Sequence, residues 1–268
     1  MASIALQSAA SGMCALNTAM DVISNNLANI STAGFKASRA NFEDLLYIQE
    51  QQPGVRNINN DQRPIGLSVG LGVRVSGTQN NFEQGSPIKG GKLDLMIQGE
   101  GFFQVRVPDS QAPGGIAYTR DGQFTLNSEG QVVMATNQGQ ILEPTIVIDG
   151  EVLDVSIDAS GQVYVTRPNQ VDPELVGQIQ LANFVNVSGL QQTGSNLFIE
   201  TAASGPPIQG NPTEQAFGSI VQGYFEASNV DPTTELINLI RVQRAFEMNS
   251  NTIRAADQVL QTVAQLRR

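Results

Sequence analysis

The sequence predicts an α+β chain: long N- and C-terminal α-helices that form a coiled coil, with an antiparallel β-rich domain between them. Three observations predict it. Apolar residues near both ends recur at alternating spacings of three and four. The middle loses that period and is cut by turn signals every 8 to 11 residues. Net charge is confined to the middle, since residues 1–35 carry only Asp21 and residues 231–268 carry five basic and four acidic groups, leaving −10 on residues 36–230.

At the N-terminus, Leu6, Ala9, Met13, Leu16, Met20, Ile23, Leu27 and Ile30 follow the 3,4 spacing without a break. A helix of about 27 residues follows from it: the segment has no Pro, Gly12 is its one glycine, and Ala5, Ala9, Ala10, Ala15 and Ala19 favour helix while letting a neighbour approach closely. The Asn-Ser-Thr-Gly cluster from Asn29 to Gly34 ends it. At the C-terminus, Leu239, Val242, Phe246, Asn249, Ile253, Ala256, Leu260 and Val263 repeat the pattern. Asp231 is a good N-cap there, Pro232 fits the first helical position, and Glu235 lies near the positive end of the dipole that Arg267 and Arg268 complement at the other end. At 1.5 Å per residue the helices are roughly 40 and 55 Å long. Asn249 either fixes their register from within the seam or faces solvent.

In the middle, Asp121-Gly122, Glu129-Gly130, Gln138-Gly139, Asp149-Gly150 and Ser160-Gly161 separate short β-rich runs at Phe102–Val107, Gln131–Met134, Thr145–Ile148 and Gln162–Thr166. That is the rhythm of an antiparallel domain. Leu153, Val155 and Ile157 alternate with Asp154, Ser156 and Asp158, the pattern of a strand with one wet face. The polar stretch Gln49–Arg63 reads as an extended arm. The chain therefore divides into 1–35 with 226–268 as a helical coiled-coil domain, 36–70 as a connector with the arm, and 71–225 as the β domain.

Little in the chain suits catalysis. With no His and one Cys, the Ser-His and Cys-His pairs, a disulfide within the chain and a Cys-based zinc site are all excluded. Cys14, in an Ala-rich helix, reads as a small buried packing residue. Gly66-Leu67-Ser68-Val69-Gly70 has the form of a nucleophile elbow without the base it needs, and Ser86-Pro87-Ile88-Lys89 lacks the partner motifs of a Ser-Lys site. Gly99-Glu100-Gly101 leads into the β-like Phe102-Phe103-Gln104-Val105 and so reads as a turn into a strand, not a dinucleotide loop. Asp149, Glu151, Asp154 and Asp158 lack the spacing of a calcium loop. No cofactor, metal or catalytic residue is expected. The acidic balance argues against nucleic acid and anionic membranes as partners. No apolar run is long enough for a membrane span, and the first basic residue is Lys36, so no cleavable secretory signal is expected.

The apolar seams have a further consequence. Leu236, Ile237, Leu239, Ile240 and Val242 cover most of the circumference of the C-terminal helix, more than one partner helix can bury. The candidate self-association residues are thus Leu6, Met13, Leu16, Met20, Ile23 and Leu27 on the first helix. On the second they are Leu236, Leu239, Ile240, Val242, Phe246, Ile253, Leu260 and Val263.

Particular residues also carry a resemblance. The run Asn25-Asn26-Leu27-Ala28-Asn29-Ile30-Ser31-Thr32-Ala33-Gly34-Phe35-Lys36 is similar to the N-terminal signature of the bacterial flagellar rod and hook proteins. Gly101-Phe102-Phe103-Gln104-Val105 and Tyr118-Thr119-Arg120-Asp121-Gly122-Gln123-Phe124 resemble their central motifs. Gln222-Gly223-Tyr224-Phe225-Glu226-Ala227-Ser228-Asn229-Val230 and Gln243-Arg244-Ala245-Phe246-Glu247-Met248-Asn249-Ser250 resemble their C-terminal signature. Asn25, Asn26, Leu27, Asn29, Gly34, Phe35 and Lys36 are the N-terminal motif residues. One departure is that the first ten positions hold no basic residue, which relatives commonly have. The length, with Phe42–Tyr47 and the Gln52-Pro53-Gly54 arm, is more similar to rod than to the generally longer hook members.

The resemblance implies export through the flagellar type III apparatus and helical self-assembly into a tubular shaft across the periplasm. It also implies partners among neighbouring rod and hook proteins and the surrounding ring proteins. Two other classes account for less. A hydrolase lacks a base, and a secreted β-domain adhesin explains the middle but not the near-neutral ends.

Overall fold

The structure, a computed structural model, describes residues 2–52, 54, 65–150, 152–168, 172–214 and 217–266. They form two compact units. A helical unit comprises Met1–Ala28, Ser38–Gln79 and Asp231–Arg268, and a β unit comprises Asn29–Ala37 and Asn80–Val230.

In the helical unit, α1 runs Ala2–Ala28 and α2 runs Pro232–Leu266, 27 and 35 residues. The cap of α2 is the one its sequence predicts: Asp231 Oδ1 accepts from the Thr233 N–H at 3.1 Å, and Oδ2 accepts from the Thr234 hydroxyl at 2.6 Å. Those bonds hold the exposed Asp231 carboxyl below its ordinary range. Arg267 and Arg268 lie outside the described residues, as do Pro53 and 55–63 of the polar arm. What precedes and follows them forms a strand pair, Tyr47–Gln51 antiparallel with Leu67–Gly70. Ser68 thus sits in a strand paired to another strand, not at a strand-to-helix turn. Ser38–Asp44 pairs with Val73–Asn80.

α1 buries Ala9, Ala15, Ala19 and Asn26. The expectation for Cys14 fails, because the thiol is exposed. Its neighbour Ala15 takes the buried face, and one helical step of about 100° separates the two.

The β unit is built on a sheet with Phe102–Arg106 at its centre. That strand pairs antiparallel with Ile116–Thr119, Leu181–Asn183 and Leu142–Glu143. Leu197–Ile199, Gln191–Gly194 and Ile208–Gly210 extend the sheet to its edges. Alternation along the central strand feeds two cores. Phe103 and Val105 face one, with Leu95, Ile97, Leu142, Val163 and Leu181. Phe102 faces the other, with Tyr118, Phe184, Leu190 and Phe198. Aromatic rings in the second core meet edge to face, Tyr118 and Phe184 at 4.8 Å. Burial there pushes the Tyr118 phenol up to about 12.

Asp154–Ile157, Gln162–Thr166 and Glu174–Gln178 make a three-stranded antiparallel meander. Val155 and Ile157 pack on the first core while Asp154 and Ser156 are exposed; Leu153 precedes the strand and stays 64% exposed. Thr145–Ile148 is not a strand. Ile146 and Ile148 are buried and exchange hydrogen bonds with Val132 and Gly130, but only one bridge, Gln131 to Val147, forms. The run begins beside Pro144, which has no N–H to give a ladder. Ser86 and Gly99-Glu100-Gly101 likewise lead into strands, Pro87–Lys89 and Phe102–Arg106.

Candidate functional site

Asn26, in the N-terminal motif, is buried at the end of α1. Its amide closes both hydrogen bonds with the Ser38 backbone, at 2.8 and 2.9 Å, and reaches Glu235 Oε1 at 3.4 Å. Burial raises the Glu235 carboxyl above its ordinary value and the Asn26 bond opposes that rise. A second contact fixes the helices: a side chain on Gly12 would meet Asn249 Nδ2 at 2.9 Å. Asn249 therefore faces α1. The two contacts share one antiparallel register, since fourteen residues separate Gly12 from Asn26 and fourteen separate Asn249 from Glu235. In that register Ala2 comes level with Val259, so α2 from Leu260 to Leu266 has no part of α1 beside it.

The register explains the exposure of the candidate self-association residues. Leu6, Met13, Leu16, Met20, Ile23 and Leu27 are half-buried, as are Leu239, Val242, Phe246 and Ile253. Leu260 and Val263, past the reach of α1, stay 42% and 55% exposed, and Leu236 and Ile240 lie 46% and 51% exposed on the other side of α2. Elsewhere in the helical unit a groove of about 290 Å³ is lined by Ala19, Val22, Ile23, Phe42 and Val242 together with Arg39, Glu235, Asn238 and Arg241.

In the β unit the other motif residues converge. Gly34 has φ +65°, and a Cβ there would lie 2.5 Å from the Asp121 backbone nitrogen, so only glycine fits between the loop and Arg120-Asp121. Its N–H donates to the Glu226 carbonyl at 2.8 Å. The Lys36 side chain, fully buried, donates to Glu226 Oε1 at 2.6 Å and to the Glu83 carbonyl at 2.7 Å. The Gly85 N–H donates to the same Oε1 at 2.7 Å.

Arg120 Nη1 lies 3.5 Å from Glu226 Oε2, Nη2 donates to the Gly99 carbonyl at 2.8 Å, and the guanidinium sits 5.3 Å over the Phe102 ring. Arg120 Nε and Nη1 and Glu226 Oε2 have no hydrogen-bond partner among the described residues. Two cations thus share one buried carboxylate. Burial lowers the Lys36 ammonium and the Arg120 guanidinium, and Glu226 opposes both shifts. Burial raises Asp121, whose Oδ1 accepts from the Gln123 N–H at 3.1 Å.

The structure buries Asn26, Gly34 and Lys36, half-buries Leu27, Asn29 and Phe35, and exposes Asn25. The motif residues thus divide between the two units. Sequence reasoning quoted Arg120, Glu226 and Asn229 within its motifs but assigned them no role. For Glu226 the signal was a carboxylate directly after the aromatic pair Tyr224-Phe225; Arg120, between Thr119 and Asp121, and Asn229, after Ser228, carry no such local signal. Glu83 and Gly85 act through the backbone and carry no such signal.

None of these groups forms a set suited to a metal; no cluster of three or more His, Cys, Asp or Glu residues is close enough among the described residues. Asp154 pairs with Lys92 at 2.7 Å, Asp158 closes its own turn, and Glu151 lies outside the described residues. No described helix is long and apolar enough to cross a membrane.

Comparison with known proteins agrees with the placement of these motifs. Residues 6–36 match the model described as flagella basal body rod protein, 96–165 that of the flagellar hook protein FlgE/F/G D1 domain, and 221–266 that of the flagellar basal body rod FlgEFG protein C-terminal. The flagellar basal-body rod protein FlgG of Caulobacter vibrioides is 46% identical over 98% of this chain and 99% of its own. The chain belongs to the flagellar basal-body rod family. Another member, FlgG of Agrobacterium fabrum, is 43% identical over 97% of this chain and 98% of its own. The rod protein FlgF of C. vibrioides is 36% identical over 87% of this chain and 84% of its own. Within this rod family, the first matched segment ends on Lys36 and the third contains Glu226, so the buried ion pair joins two family segments.

Proposed function

We propose that the chain is a structural subunit of the flagellar distal rod, in the basal body, which self-assembles helically into a tubular shaft carrying torque from motor to hook. Full-length similarity to proteins named FlgG supports the distal over the proximal rod or hook assignment. The observation that carries self-assembly is the apolar length of α2 that α1 does not reach, with Leu260 and Val263 both more than 40% exposed.

The 3,4 seams then pack as coiled coils between copies, each helix meets several neighbours, and heterologous contacts repeat without closing. Burial at about 25 cal/mol per Å² accumulates along the shaft. Work is done by packing, without catalysis or cofactor. The remaining partners are neighbouring rod and hook proteins, the ring proteins around the shaft and the export apparatus.

Electron microscopy of concentrated full-length protein, seeded with basal-body fragments, is expected to show tubes. Val263→Glu together with Ile240→Glu is expected to abolish them while leaving a folded monomer. Sedimentation as a lone folded particle at every concentration, with no seeded polymer, refutes the reading.

A further inference from the structure

The chain passes between the two units at four places, after Ala28, Ala37, Gln79 and Val230. On the β-unit side all four lead to the same few side chains. Ala37 donates its N–H to Asn229 Oδ1 at 2.8 Å and accepts from the Asn81 N–H at 2.7 Å. Asn229 Nδ2 donates to the Asn81 and Glu83 carbonyls at 2.8 and 3.1 Å, and its backbone N–H reaches the Phe35 carbonyl at 3.4 Å. Lys36 and Glu226 complete the tie through Glu83, Gly85 and Gly34.

We infer that Lys36, Glu226 and Asn229 form one latch that fastens segments 33–37, 81–85 and 226–229 together, and that these open as a single cooperative unit. Each of the three side chains bonds both of the other segments. Releasing segment 33–37 or 226–229 therefore strands one member of the buried Lys36–Glu226 pair, and releasing 81–85 leaves that pair without the Glu83 carbonyl and Gly85 N–H and the half-buried Asn229 amide without its acceptors; an unpaired buried charge is far costlier than a lost neutral contact. Partial opening is penalised, so the latch holds or releases as a whole. In the rod, on which this consequence rests, a load entering along either terminal helix reaches the same fastening instead of peeling one crossing at a time.

Native-state hydrogen exchange of the full-length monomer tests it. The amides of Gly34, Ala37, Asn81 and Gly85 are expected to share one opening equilibrium and one urea dependence, below that of the Phe102–Arg106 strand. Asn229→Ala removes a direct partner of Ala37 alone among those four amides. It is expected to speed exchange of all four at least tenfold while changing the central strand less than twofold. Four different urea dependences in the unsubstituted protein, or acceleration confined to Ala37 in the variant, overturns the latch. Since the readout is taken on monomer, its failure leaves the rod assignment, which is read from polymer, standing.

Discussion

Replacing Lys36 by Met leaves a side chain of similar length and no charge beside a carboxylate that has no access to water. Lys36 and Glu226 are both 0% exposed, and the ammonium gives two hydrogen bonds, at 2.6 and 2.7 Å. Breaking a buried ion pair from one side costs about 3–5 kcal/mol. Here Glu226 keeps the Gly85 N–H and has Arg120 at 3.5 Å, which places the loss near the lower end, about 3 kcal/mol. For a β unit of about 160 residues, 1 kcal/mol corresponds to about 3 °C, so its transition falls by roughly 9 °C.

Urea titration of the full-length protein, followed by near-ultraviolet circular dichroism of the buried tyrosine, measures this. Glu226→Gln in the Lys36→Met background removes the stranded charge, so the two substitutions are expected to be non-additive by at least about 1.5 kcal/mol. A single-variant loss below about 1 kcal/mol, or strict additivity, refutes the argument. The pH dependence follows with its own sign. Burial holds the folded Lys36 below 10.5, so between its folded value and 10.5 the unfolded chain binds the extra proton and the β unit gains stability as pH rises. The Met variant is expected to lose that increment.

Gly34→Ala forces a positive φ on an L-residue and a Cβ against the Asp121 backbone; it is expected to destabilise the β unit by about 2–4 kcal/mol in the same titration. Asp231 titrates below 3.8 in the folded helix, so its cap is fully present above 3.8 and is lost as pH falls through the folded value. The protection of the Thr233 amide, relative to its intrinsic exchange rate at each pH, is expected to fall several-fold over that range, and Asp231→Ala to lack that protection at every pH. In the free subunit the stretch of α2 that α1 does not reach is expected to exchange fastest, because an unpartnered helical turn is marginal.

Local chemistry was legible where it was sufficient. The alternating 3,4 spacing marked both helices, Asp231-Pro232 marked the start of α2, and Glu129-Gly130, Gln138-Gly139, Asp149-Gly150 and Ser160-Gly161 each put a glycine at positive φ. Asp121-Gly122 did not: Gly122 is required by close approach to the Leu95 carbonyl, a neighbour 27 positions away. Thr145–Ile148 has strand composition but sits against Gly130–Val132 with a single bridge, because Pro144 cannot donate. Cys14 is exposed although the adjacent Ala15 is buried, since small size does not say which side of a helix is covered.

What the sequence by itself determined was therefore the helices, most of the turns and the family. Each depends on residues within a few turns of one another or on composition. Tertiary structure alone decided that Lys36 meets Glu226 across 190 positions. It also decided that Asn249 faces Gly12 and that α2 outruns α1. Pairing over such distances is selected by the burial of whole segments at once, and no local pattern of residues records which distant carboxylate a lysine will be enclosed with.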